Sequence, residues 1–183
     1  MPGFGGLIRQ NSAAARSAHG PPQRHQSISR GSTVSTAAQI TVELDTSELG
    51  PVISRLTGWQ LDIVADSIGA MLARRAVDRL EYEKRGPKGE VWPAWSEEYA
   101  RTRHANQSLL VSNGDMQKSI QHQILGSGSD LVIEVGVYVE YGRTHQFGDE
   151  SRGIPARPYL GFADDDRQRI EDLITGELSS LFE

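Results

Sequence analysis

Apolar and polar positions alternate over Ile40-Thr41-Val42-Glu43-Leu44, the period-two mark of a half-buried strand. Residues 45–51 break the pattern with Ser, Gly and Pro and read as a connection. A longer period follows. Over residues 51–83, Leu61, Val64, Ile68, Leu72 and Ala76 recur three and four apart, and Leu80 completes the stripe. Asp62, Asp66, Arg74, Asp78 and Glu81 fall on the opposite face, which predicts a long amphipathic helix. Arg85-Gly86-Pro87-Lys88-Gly89 ends it, because Gly and Pro together oppose continuation. Ser96 is placed to cap a short helix running to Arg103, and residues 109–115 read as a turn opening another. Residues 119–125 and 131–137 predict a hairpin joined by Gly126-Ser127-Gly128-Ser129-Asp130, with Leu131, Ile133, Val135 and Val137 on one face. From Ala163 onward Ile170, Leu173, Ile174, Leu178 and Leu181 form a second stripe. Asp164, Asp165 and Asp166 fall in the first turn of that helix, where carboxylates favour the positive end of the dipole. The expected fold class is α+β: a small antiparallel sheet packed by a long amphipathic helix and a C-terminal helix.

Residues 1–37 show neither period. They are rich in Gly, Ser, Ala, Gln and Arg around Gly20-Pro21-Pro22, and cannot bury enough apolar surface to offset their ordering entropy. The expected organisation is therefore an irregular N-terminal arm, residues 1–37, ahead of one domain over residues 38–183. Charge sharpens the division. The whole chain carries −5, yet the arm holds Arg9, Arg16, Arg24 and Arg30 and no acid, leaving −9 on the body. These arginines suit docking on an acidic neighbouring subunit or light contact with nucleic acid, or they solubilise a tail. An acidic body argues against a nucleic-acid-binding domain, since counterion release needs clustered Lys and Arg.

No apolar run approaches the roughly 18 residues that cross a bilayer, so no membrane partner is expected. The first residues lack the apolar core of a secretory signal, and synthesis in the cytoplasm is the expectation. There is no cysteine, which removes disulfides and thiolate chemistry. His19, His25, His104, His122 and His145 include no i, i+4 pair and no HExxH, so no metal site is expected. His122, on a predicted strand between Ile120 and Ile124, reads as a packed core imidazole. His145 lies in a tight loop beside Gln146 and Phe147 and reads as ordering that loop. No nucleophile elbow, P-loop or dinucleotide fingerprint occurs, so neither catalysis nor a cofactor is expected. Trp92 and Trp95 flank a proline. Such a pair either anchors a partner or covers the end of the domain's own core.

Four local patterns in fixed order carry a resemblance. They are Gly86-Pro87-Lys88-Gly89-Glu90-Val91-Trp92-Pro93-Ala94-Trp95 and Leu110-Val111-Ser112-Asn113-Gly114-Asp115-Met116-Gln117-Lys118-Ser119-Ile120. Val135-Gly136 with Tyr141 and His145-Gln146-Phe147-Gly148 comes third, and Ile154-Pro155-Ala156-Arg157-Pro158-Tyr159-Leu160-Gly161 fourth. Over roughly residues 55–183 the chain resembles the phage virion morphogenesis family, the tail completion proteins of Mu-like phages, and the wider group of small neck and tail-joining proteins. Asn113-Gly114-Asp115-Met116 departs from the more usual Ser-Gly-x-Leu but keeps a turn followed by an apolar residue. The arm has no counterpart in the family.

The resemblance implies a structural virion protein acting in head–tail joining, a ring of six copies at the neck or tail end. Its partners would be itself, connector and tail-tube proteins, with DNA passing through the lumen. Pro155 and Pro158 hold Ala156-Arg157 as a rigid extended strip. Arg157 then offers its planar fork to a carboxylate on its own domain or a neighbour. Tyr141, His145 and Phe147 would shape a compact loop against that strip, with Gly142 and Gly148 allowing sharp turns. With Trp92, Trp95 and Tyr159 these are the candidate contact residues. The rivals are a nucleic-acid-contacting accessory assembly factor using the arm and a small hydrolase using His145 as base with a nearby carboxylate.

Overall fold

The computed structural model describes residues 8–11, 38–44, 58–126 and 131–181. Strands β1 (Ile8–Asn11), β2 (Ala38–Leu44), β3 (Ile120–Leu125) and β4 (Val132–Val137) form one antiparallel sheet in the order β1-β2-β4-β3. The β3–β4 hairpin pairs Ile120 with Val137, His122 with Val135 and Ile124 with Ile133. The expected strand at 40–44 extends back to Ala38 and pairs with β4 from Ala38↔Val137 to Glu43↔Val132. Inside the segment read as an irregular arm, Ile8–Asn11 adds an outer strand to β2. Four residues form a strand without a core of their own when a neighbouring edge supplies backbone hydrogen bonds.

Helix α1 (Gly58–Asp78) crosses β3 and β4 and carries the core. Val64, Ile68, Leu72, Ala76 and Leu80 of its predicted stripe are buried, Leu61 is half-buried, and Asp62, Asp66 and Arg74 are exposed. Its face meets Ile133, Val135 and Val137, each fully enclosed, so the period read from the chain selects the core. The approach is close at Gly69, where a Cβ would come within 2.4 Å of the His122 ring. His122 is not a core imidazole. Its ring sits at the helix–sheet margin with Nε2 2.8 Å from the exposed carboxylate of Asp66.

The helix ends in a π-helical turn, Arg79–Glu83, in which the adjacent side chains of Arg79 and Leu80 are both buried. Widening to an i→i+5 pattern accommodates an extra residue on the inner face. Arg79 reaches the start of the last helix, α5 (Asp166–Leu181), donating to Asp166 at 3.2 Å and to the carbonyls of Tyr159 and Gly161 at 3.2 and 3.0 Å. Asp166, with no exposed surface, also accepts from Arg75 Nε at 2.7 Å and from the Ala163 amide at 2.7 Å. The role expected of the acidic triplet, complementing a helix dipole, is thus too small for Asp166. It is the anionic centre of a buried network that also starts its helix. Burial lowers the Arg79 pKa, and the neighbouring Asp166 opposes that shift. From there α5 runs antiparallel to α1, with Arg75 beside Asp166 at one end and Ser67 beside Glu177 at the other. Ile170 is enclosed, and Leu173 and Ile174 pack at its margin.

Two short helices, α2 (Glu97–Ala100) and α3 (Asp115–Lys118), follow the long one. Ser96 caps α2 as expected, its hydroxyl accepting from the Tyr99 amide at 3.3 Å. The remaining helix, α4 (Glu140–Phe147), lies where a loop was expected. Its sequence, EYGRTHQF, has no aliphatic stripe. Helix α4 docks instead through a missing side chain and an amide: a Cβ on Gly142 would meet Val137 at 2.5 Å, and Gln146 is buried among backbone groups. Gly148, at φ +79, closes the helix with its amide donating to Thr144 at 2.7 Å.

Candidate assembly surface

The extended strip at residues 156–161 is held between α4 and the tryptophan segment. Gln146 does most of this from the helix side. Its Oε1 accepts from the amides of Tyr159 and Leu160, both at 3.0 Å, and its Nε2 donates to the Leu160 carbonyl at 2.9 Å. One side-chain amide therefore plays the part of a neighbouring strand. The Arg157 amide donates to the His145 carbonyl at 2.7 Å, and the Tyr159 hydroxyl to that of Gly142 at 3.0 Å. From the other side Trp92 Nε1 donates to the Pro158 carbonyl at 2.9 Å. Arg157 donates to Pro93 and Ala94 at 2.8 and 3.0 Å. Three of the four sequence patterns are one hydrogen-bonded unit.

Three expectations are corrected by this. Trp92, Arg157 and Tyr159 are 3%, 5% and 0% exposed, and all three hold the fold rather than lying open to a partner. Of the alternatives for Trp92 the core one applies. Arg157 satisfies two orphan carbonyls of its own chain and has no carboxylate among the described residues. Burial lowers its pKa and, at Tyr159, raises that of the phenol. The other candidates face outward: Tyr141 and Phe147 are exposed, and Trp95 and His145 half-buried. Arg9 lies on β1, where only the backbone is described, and Arg16, Arg24 and Arg30 lie outside the described residues.

A cleft of about 680 Å³ opens between residues 94–117 and residues 141–157. Trp95 and Tyr99 form one wall, ring edge to ring face at 6.0 Å, with the Arg103 guanidinium 4.3 Å above the Tyr99 ring. Tyr141 stands across from it, 5.9 Å from the His145 ring. Leu110 belongs to a tight turn closed by reciprocal Ser108–Val111 backbone bonds of 3.0 and 2.9 Å. It holds φ +61, a conformation that favours glycine. Lys84, at the end of the long helix, donates to Ser108 Oγ at 2.8 Å and to Leu109 O at 3.1 Å and so fixes this turn.

His145 Nδ1 is buried without a hydrogen-bond partner in the described structure. Burial, then the cations Arg157 and Arg152, lower its pKa, so the imidazole is neutral at pH 7. Asp149, carrying Arg152 and the Ser151 hydroxyl, is held down to about 2. Among the described residues there is no group of three potential metal ligands, and no helix long and apolar enough to cross a membrane. Sequence reasoning missed Gln146, Leu110 and Lys84. Gln146 stood inside a quoted motif, but nothing in a glutamine's identity announces a buried backbone mimic.

Fold and cleft together describe a small α+β domain built around an internally braced extended strip beside an aromatic-lined cleft. The profile of the phage virion morphogenesis family matches residues 44–179, and the chain belongs to that family. Among similar proteins is the putative capsid assembly protein G of Escherichia phage Mu, 25% identical over 141 residues, covering 66% of this chain and 90% of that one. Another is the Mu-like prophage FluMu G protein 1 of Haemophilus influenzae, 28% identical over 122 residues, covering 64% and 80%. No solved structure matches. The protein is therefore a phage structural or assembly protein, associated with the virion and with other virion proteins.

Proposed function

We propose that this chain joins head to tail as a homo-oligomeric ring at the neck or tail end of the particle, acting by binding and not by turnover. The observation that carries the reading is the braced strip. Three separated patterns interlock to hold a rigid surface, and rigid presentation lowers the ordering cost of each contact in an assembly. The exposed Tyr141 and Phe147 beside it are side chains that concentrate binding energy at interfaces. Connector and tail-tube proteins would be its neighbours, with DNA passing through the lumen. The name of the Mu relative, a putative capsid assembly protein, adds a head-side role to the same junction. Against a hydrolase stands His145, whose cleft neighbours are two arginines and a tyrosine, with no orienting carboxylate bonded to its Nδ1.

A particle lacking the protein tests this directly. Filled heads and finished tails that accumulate unjoined, with the subunit seen as a ring at the neck of complete particles by cryo-EM, is the expected result. Normal joining in its absence, or a location in the tail fibres or capsid shell, would overturn it.

A further inference from the structure

We propose that in the free chain the outer edge of β3 pairs with the same edge of a second copy, antiparallel and centred on His122. The phase of the sheet leaves that edge open. The Tyr138 amide donates to the Ser119 carbonyl at 3.2 Å, which makes Ser119 and Tyr138 a hydrogen-bonded pair. Alternation along the hairpin then turns the main-chain groups of Gln121, Gln123 and Leu125 toward β4 and those of Ile120, His122 and Ile124 outward. Strand β3 lies at one end of the sheet, and no described group bonds those outward amides and carbonyls. Such edges are ordinarily blunted by Lys, Pro or a bulge. Here none is used: IQHQIL carries no Lys, Arg, Asp, Glu or Pro, and its register with β4 runs unbroken from Ile120 to Leu125.

The sequence of the edge selects the occupant. Ile120-Gln121-His122-Gln123-Ile124 reads the same in both directions. Turned about His122, it sets Ile120 against Ile124, Gln121 against Gln123 and His122 against its own copy. Every outward group then meets an outward group, giving about six main-chain hydrogen bonds. Side chains match as well, Ile against Ile on the α1 side of the sheet and Gln against Gln on the other. The helices leave room for this. Helix α1 covers β3 and β4, and strands lie about 4.8 Å apart, so the two α1 axes come about 10 Å apart, the separation at which helices pack. Above His122 that helix presents Gly69, Ala70 and Ala73, none longer than a methyl group. The contact is isologous, so it goes beyond the proposed ring, whose closing contacts join two different surfaces. It covers a strand edge open to mispairing until the subunit enters a particle.

Sedimentation of the full chain, with amide exchange read by NMR, is the test. A dimer is expected. Across its dissociation range the amides of Ile120, His122 and Ile124 should exchange at least tenfold more slowly in the dimer. Those of Gln121, Gln123 and Leu125, turned toward β4, should stay protected throughout. Gln121 and Gln123 are exposed on the face away from α1 and report the register. Gln121→Glu with Gln123→Glu sets like charges opposite one another and should weaken the dimer at least tenfold. Gln121→Lys with Gln123→Glu sets opposite charges there and should restore it. A monomer at every concentration, a dimer whose three outward amides exchange freely, or equal association of the two double variants overturns the proposal. Edge protection that vanishes on removal of residues 1–37 also overturns it, by making β1 of a neighbour the occupant. Exchange in the unaltered chain decides the matter if a variant fails to fold. The ring at the neck is judged separately, by its presence in particles.

Discussion

Gln146 shows how much one side chain settles. Its amide satisfies two backbone amides and one carbonyl of the strip, none of which has a strand beside it. Gln146→Ala leaves those groups buried and unpaired, and should destabilise the domain by about 3 kcal/mol in denaturant unfolding. A loss under about 1 kcal/mol would mean that the strip is held from the tryptophan side alone. His145 makes a pH prediction. Burial and the two arginines hold its folded pKa below the ordinary 6.5, so the unfolded chain takes up a proton first as pH falls. The stability this group contributes is complete above about pH 6.5 and is lost as pH falls through the lower folded value. Melting temperature should therefore drop more steeply below that pH in the natural protein than in His145→Gln. Parallel profiles for the two would contradict the assignment.

Elements depend on residues far from them in sequence. Helix α5 begins at Asp166 because Arg79, 87 residues earlier, opens a π-helical turn and donates to its carboxylate. Removing one member leaves the other charge buried, so Asp166→Ala should cost about 3–5 kcal/mol. Hydrogen exchange should show the loss first in α5. Helix α4 rests on Gly142, whose Cα faces Val137 and the Tyr159 hydroxyl with no room for a methyl group. Gly142→Ala should cost about 1–3 kcal/mol by forced displacement of α4. Gly69→Ala crowds the half-buried His122 side chain, most closely its ring, which can swing toward solvent, and should cost less. Equal losses at the two glycines would show that His122 is as fixed as Val137. The short elements were legible where a local signal existed, as with Ser96. Helix α4 was not, because its packing uses a glycine and a glutamine instead of an apolar stripe.

At the scale of the whole molecule, β3, β4, α1 and α5 share one core, while β2 and then β1 extend the sheet beyond β4. Removing residues 1–37 should leave a cooperative unfolding transition, lower by about 1–2 kcal/mol for the lost edge pairing. Collapse of the transition would make the arm part of the domain. Membership in a virion morphogenesis family, with a braced strip and an aromatic-lined cleft, makes the molecule a unit whose surfaces acquire purpose in an assembly.

The chain by itself determined the core and the family. Periods of two and of three-to-four mark the residues that meet between α1 and the sheet, since burial of one face requires those spacings. Four ordered patterns mark the kinship. Tertiary structure alone decided which motif residues are free. Trp92, Arg157 and Tyr159 looked as available as Trp95, Tyr141 and Phe147, for residue type records what a side chain can bind but not what has already bound it. The deciding partners are backbone carbonyls and amides, which every residue carries and no sequence pattern distinguishes.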